Sequence, residues 1–194
     1  MIRFGLWVFT IACVLAQVGA AGGVVPGDRS YADPDAYAVY SAVIPSEWAV
    51  TAAHAKNLVI ARETTGYKIC LKPDNNTAEI IGPAIENYEA QNRESWMLEP
   101  KIETHIPFKL LNSSEVKEAF ENSGWEGFYR NYPDSGGIIE LSAVGFNSDK
   151  TIAVVYVGHS CGMLCGGGSF HVLEKKNGNW TPLKWNGLSC SWVS

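Results

Sequence analysis

From Ile138 to Trp185 the chain is a succession of β-prone runs separated by turn residues, and no other stretch limits the fold so tightly. Ile138 to Phe146 and Thr151 to Val157 flank Asn147-Ser148-Asp149-Lys150; Ser169 to Lys176 and Asn179 to Trp185 flank Asn177-Gly178. Asn-Gly between two such runs is the strongest short hairpin signal, because both central residues of a type I′ turn need positive φ. Four successive strands joined in this way predict an antiparallel meander. Its middle, Val154 to Gly168, reads VVYVGHSCGMLCGGG.

Three helices are expected upstream. Asp33 is placed to cap free amides, Pro34 suits a first turn and Asp35 the positive end of a helix dipole; Ala36, Val39, Tyr40, Val43 and Ile44 follow at helical spacing. Ile80, Ile81, Ala84, Ile85 and Tyr88 form a second stripe around Pro83. Asn112 and Glu115 are spaced as a capping box, Leu111 and Val116 as a hydrophobic staple, and Gly124 as a stop. Asn57 to Thr65 reads as a strand that Gly66 turns into a second, Tyr67 to Leu71. Lys101 to Leu111 reads as another, with Pro107 marking an edge or a bulge. The expected class is α+β: an antiparallel β-meander sheet with about three helices packed on one face. That order is loosely similar to cystatin-like folds, an analogy that carries no function.

Residues 1–20 read as a secretory signal peptide. Arg3 precedes a nearly all-apolar run from Leu6 to Val18, and Val18-Gly19-Ala20 supplies small residues before a cut. Residues 21–32 read as a flexible mature N-terminus, and 33–194 as a single α+β domain. After signal removal no segment is long and apolar enough to be a transmembrane helix. Losing Arg3 takes the formal net charge from -5 to -6. The charges are dispersed, which argues against nucleic acid as a partner. The six tryptophans left after Trp7 is removed are expected to pack; a carbohydrate-binding surface is not readable from their number.

Cys13 leaves with the signal, and Cys70, Cys161, Cys165 and Cys190 remain. An even number in an exported chain favours disulfides, with three connectivities open; Cys161–Cys165 with Cys70–Cys190 is preferred.

Gly158-His159-Ser160-Cys161-Gly162 matches G-x-S-x-G, which raises Ser160 as a hydrolase nucleophile. A nucleophile elbow needs a helix after the Ser, and then an acid before a His. Here Gly166-Gly167-Gly168 and a β-run follow, and Glu174 comes after His171. A triad assembled from His54 or His105 and a distant Asp is the remaining catalytic alternative. His159, Cys161, Cys165 and His171 are zinc-competent residue types and form a second alternative. A C-x3-C redox centre is a third, although it lacks the spacing and helix start of thioredoxin-like sites. Glu47, Glu63, Glu86, Glu126 and Glu140 offer carboxylates with nothing to fix a pair; Glu140, between Ile139 and Leu141, reads as the outward residue of an alternating strand. The leading reading is a glycine-rich hairpin connection, Gly158 to Gly168, clipped by cysteines. Its binding-loop candidates are His159, Ser160, Gly162, Gly166 and Gly167.

One resemblance follows from Phe128-Tyr129-x-x-Tyr132-Pro133-x-Ser135-x-Gly137, Leu141-Ser142-x-Val144-Gly145-Phe146, Cys161-Gly162-x-x-Cys165-Gly166, Leu173-x-Lys175 and Trp180. The pattern resembles exported bacterial proteins of uncharacterised function and spans the C-terminal third to half of the chain. The resemblance implies a secreted or periplasmic location and carries over no catalytic residue. The expectation is a non-catalytic binding or structural domain without cofactor, its partner a protein or envelope component.

A non-reducing intact mass of the exported protein is expected to start near Ala21 and to lack four hydrogens. A mass heavier by one zinc would instead support the His159, Cys161, Cys165, His171 alternative.

Overall fold

The computed structural model describes residues 29–47 and 55–194. The signal segment, Cys13, residues 21–28 and His54 lie outside the described residues. The first helix, α1 (Pro34–Val43), starts as its sequence dictates: the Asp33 side chain accepts the Asp35 amide at 3.0 Å, and Pro34 occupies the first turn. A short 3₁₀ turn, Ile44–Ser46, takes in Pro45. Strand β1 (Asn57–Ala61) and the short β2 (Lys72–Pro73) precede α2 (Ala78–Gln91), which holds Pro83 in its interior. Then come β3 (Phe108–Leu111), α3 (Ser113–Phe120) and α4 (Trp125–Asn131). The remainder is β: β4 (Ser135–Leu141), β5 (Gly145–Phe146), β6 (Ile152–Gly162), β7 (Cys165–Lys176), β8 (Asn179–Pro182), β9 (Gly187–Leu188) and β10 (Ser191–Val193).

The main sheet runs β10-β7-β6-β4-β1-β3, with β5 also pairing β6 and β8 also pairing β7; β2 and β9 pair separately. The fold is mixed α and β with a largely antiparallel sheet. From β4 to β8 the pairing is antiparallel, as the turn residues require. Asn177 and Gly178 take φ of 52° and 83° and join Lys176 to Asn179 across a two-residue turn.

The expected pure meander needs correction at the other end. β1 lies between β3 and β4 and is parallel to both. It therefore has no free edge for the hairpin expected at Gly66, and Tyr67 to Leu71 crosses the sheet face instead of pairing with it. The strand expected from Lys101 to Leu111 pairs only over β3, after Pro107, at the edge of the sheet.

The helices also depart from the expected single layer. α1 packs Ala36, Val39, Tyr40 and Val43 against Leu58, Ile60, Ile139, Leu141, Ala153, Val155 and Val157. α2 packs Ile81, Ala84 and Tyr88 against Ile152, Val154, Tyr156, Phe170 and Val172 on the opposite face. α3 and α4 cover Val59 and Ile138 beside it, through Ala119 and Phe128. The reason is β6. Every residue from Ile152 to Gly158 is buried, and a strand buried on both faces needs cover on both. α4 begins directly after Gly124, the residue read as the stop of the third expected helix. Gly124, at φ 55°, ends one helical segment and caps the next, which turns Trp125, Phe128 and Tyr129 onto one packed group. Asn112 and Glu115 form the expected reciprocal capping box.

Residues 29–31 are hydrogen-bonded to the segment around Met97. Met97 donates its amide to the Arg29 carbonyl and accepts that of Tyr31, each at 2.8 Å, and Tyr31 is buried. Between β4 and β5 the strand breaks at Ser142–Val144; the Ser142 amide still bonds the Tyr156 carbonyl, and side chains meet other backbone groups there. Tyr40 donates its hydroxyl to the Ser142 carbonyl, Asn92 bonds both backbone groups of Ala143, and the Tyr31 hydroxyl accepts the Val144 amide. Gly145 then passes so close to α2 that a Cβ would overlap the Tyr88 amide and the Ala84 carbonyl. Among the described residues no helix is long and apolar enough to cross a membrane.

Gly145→Ala is expected to lower unfolding stability by about 2 kcal/mol, the usual cost of forcing atoms into a packed contact. Urea denaturation reads this as a lower midpoint at unchanged slope.

Candidate functional site

The Gly158–Gly168 stretch, expected as a connection, is paired strand. His159 faces Gly167 and Ser160 faces Gly166; the register slips between Ser160 and Gly162, and only Met163 and Leu164 remain as the turn. Cys161 is bonded to Cys165 across that turn, and Cys70 to Cys190 over a separation of 120 residues. This is the pairing that the cysteine positions favour. In a chain-entropy account the long closure contributes roughly 5 kcal/mol and the local one roughly 2 kcal/mol. The tip is also tied to α4, whose Tyr129 hydroxyl donates to the Cys161 carbonyl at 2.9 Å. Met163 and Leu164 stand 92% and 87% exposed.

Strand alternation divides the candidate residues between two faces. His159, Gly167, Ser169 and His171 lie on the α1 face; Gly158, Ser160, Gly166 and Gly168 lie on the other. The sheet thus separates Ser160 from both hairpin histidines. His105 is exposed in the segment leading to β3, at the opposite edge of the sheet. Among the described residues Ser160 sits in a strand with neither the helix nor the base that a nucleophile elbow needs.

On the α1 face, the Nε2 of His171 lies 3.0 Å from Glu47 Oε1 and 3.1 Å from Ser169 Oγ. Both partners meet the same nitrogen. A relay needs the carboxylate on one ring nitrogen and the hydroxyl on the other, so Ser169 is not an activated nucleophile. Burial holds the His159 imidazole below its ordinary value, while the charge of Glu47 pulls it up. The zinc alternative loses its thiolates because Cys161 and Cys165 are bonded to each other. Among the described residues no group of three or more His, Cys, Asp or Glu is disposed to hold a metal ion. The redox alternative also lacks its helix start, since the pair bridges a hairpin.

The other face carries an arrangement that the sequence did not disclose. Glu140 on β4, Gly158 on β6, Gly168 on β7 and Trp192 on β10 form one row across four strands. A Cβ at Gly168 would overlap the Tyr156 hydroxyl, and one at Gly166 would touch the Trp192 ring at 3.4 Å. The glycines therefore let two aromatic rings lie down on bare backbone. Trp192 Nε1 donates to the Tyr156 hydroxyl at 2.7 Å, and Tyr67 stacks on Tyr156 with centroids 4.0 Å apart. Cys70 and Cys190 join the segments that carry Tyr67 and Trp192, so the long disulfide sets both rings around Tyr156. Burial and the nearby charge of Glu140 contribute to pushing the Tyr156 hydroxyl up to about 12.

Glu140 is not outward in the sense expected. It lies on the face that α2, α3 and α4 cover, between their two clusters, and is partly buried. No described residue donates a hydrogen bond to its carboxyl or pairs with it, and burial raises its pKa above the ordinary glutamate value. The clue in the sequence was Gly158 and Gly168 at matched positions of two strands, but only the register makes them neighbours of Glu140.

No protein-family model, no curated protein and no solved structure matches this chain.

Because the folded pKa of Glu140 is raised, its contribution to stability is whole below the ordinary glutamate value and is lost as pH rises through the folded value. Glu140→Gln is thus expected to be more stable than the parent at neutral pH, with the gain vanishing below the ordinary glutamate range. Thermal melts at pH 3 and pH 7 check this; a difference independent of pH contradicts it.

Proposed function

We propose that the chain is an exported binding protein without catalytic activity, and that the clipped tip of the β6–β7 hairpin is what it presents to a partner. The observation that carries this reading is the pair Met163 and Leu164, almost fully exposed on a two-residue turn. The Cys161–Cys165 bond and the Tyr129 hydrogen bond hold that turn in one shape. Exposed apolar side chains on a fixed support bind with little ordering entropy to lose. Burying both is worth roughly 3–6 kcal/mol gross, enough for the anchor of an interface.

The partner that fits is a protein with an apolar cleft. From Thr151 to Leu173 the chain has no Asp, Glu, Lys or Arg, so the tip offers no basic residue to an anionic bilayer or a phosphate backbone. The net charge of -5 points the same way. Two disulfides suit an oxidising compartment, which supports the secreted or periplasmic reading.

A photo-crosslinking residue at position 163 is expected to capture one discrete protein in cells that export the chain, and the same residue at position 177 to capture none. With that protein purified, the double variant Met163→Asp, Leu164→Asp is expected to raise Kd at least tenfold. Equal capture at both positions, lipid adducts alone, or an unchanged Kd would overturn the reading.

A further inference from the structure

We propose that the Cys161–Cys165 bond is a redox-operated clasp: closed, it fixes the tip of the β6–β7 hairpin, and opened by a dithiol reductant it lets the tip lose its shape and its hold on a partner. The effect on a partner rests on the docking role proposed for Met163 and Leu164; the clasp itself rests on the turn. Two hairpins of the sheet close through two-residue turns, and they differ. Asn177 and Gly178 both take positive φ, as a right-twisted hairpin needs, and their residue types supply it. At the β6–β7 tip no residue from His159 to Gly168 takes positive φ, and the turn residues are Met163 and Leu164. A turn of that kind splays the strands it joins. The register slips at the same place: Ser160 faces Gly166 and Gly162 faces Cys165, which leaves Cys161 without a cross-strand partner. Its sulfur makes the cross-strand link instead. The covalent bond therefore supplies a closure that the turn residues do not encode.

The second disulfide is the internal comparison. Cys190 packs in the α2-face cluster, and Cys70 lies between Ile69 and Leu71 of the same cluster. With that bond broken, the two thiols stay neighbours, because the cluster and the β10–β7 and β2–β9 ladders hold both segments. The tip has no such support. Met163 and Leu164 stand in solvent, and the rungs beside them are Gly162, Gly166 and Gly167, which pack no side chain. The balance against a reductant depends on how often the two freed thiols meet, so the tip bond is the more readily opened of the two. In that exchange a thiolate of the donor attacks one sulfur and displaces the other, and the donor's second thiol then displaces the first. Two electrons and two protons pass to Cys161 and Cys165, and the donor leaves as a disulfide. An opened tip has to be ordered again on binding, which lowers affinity.

Titration of the intact, oxidised chain with dithiothreitol tests this, with thiol trapping mapped by mass spectrometry and amide hydrogen exchange read at each step. Cys161 and Cys165 are expected to be trapped at dithiothreitol concentrations at least tenfold below those that expose Cys70 and Cys190. Exchange should then quicken at least tenfold at residues 161–166 and stay unchanged at residues 174–181. The double variant Met163→Asn, Leu164→Gly gives the tip an encoded turn and is expected to keep slow exchange there after reduction. Photo-crosslinking from position 163 of the otherwise unaltered chain should fall at least fivefold once the bond is open. Reduction of Cys70–Cys190 first or at the same concentration, tip exchange indifferent to reduction, or a double variant that opens as the parent does would each overturn the clasp. A tip that opens while capture stays equal overturns its control of the partner. No capture from either form overturns the docking reading alone, and the clasp then stands on the exchange data.

Discussion

The architecture depends on one strand being dry on both sides. β6 alternates Ile152, Val154 and Tyr156 toward one face and Ala153, Val155 and Val157 toward the other, and all six are buried. Fully burying a Val or Ile side chain is worth about 1.5–3 kcal/mol, so leaving either set in water would cost a large part of a typical domain's margin. α1 answers the odd residues and α2 the even ones. Every other element is placed by its relation to that strand: β7 and β4 beside it, β10 and β1 beyond them.

A sheet covered on both faces still has to satisfy its backbone where pairing stops. The break at Ser142–Val144 is buried, yet its polar groups are met from both layers. Tyr40 and Tyr31 reach it from the α1 side and Asn92 from the end of α2. Ser142 also uses its own hydroxyl to accept the Tyr156 amide at 2.8 Å. Buried tyrosines are therefore more than bulk here. Their hydroxyls tie the α1 side to the three residues that Asn92 meets from α2, as a buried polar group must be paired to be tolerated.

The hairpin beyond this core is built differently. Its glycines do not loosen a loop; they thin a strand so that aromatic rings can lie on it. The two disulfides act at different ranges. The local bond shapes a two-residue turn, and the long one brings a segment before α2 and the last strand to opposite sides of Tyr156. Chemistry that looked concentrated in one motif is thereby split by the sheet, with both hairpin histidines on one side and Ser160 on the other.

What the sequence determined by itself is local. The Asp33-Pro34 start, the Asn112–Glu115 box, the Asn177-Gly178 turn and the antiparallel run from β4 to β8 rest on bonds between residues a few positions apart, and those bonds are written in the residue types. The preference for Cys161–Cys165 is local too. The tertiary structure alone decided the rest. Strand β1 is parallel to β3 and β4 because both its edges are filled by partners tens of residues away, which no turn signal encodes. Glu140 became a partly buried acid, although its neighbours Ile139 and Leu141 predict only alternation, because alternation does not say which face another helix will cover. The row from Glu140 to Trp192 exists only once four strands are in register, and register between distant strands follows from packing the whole core.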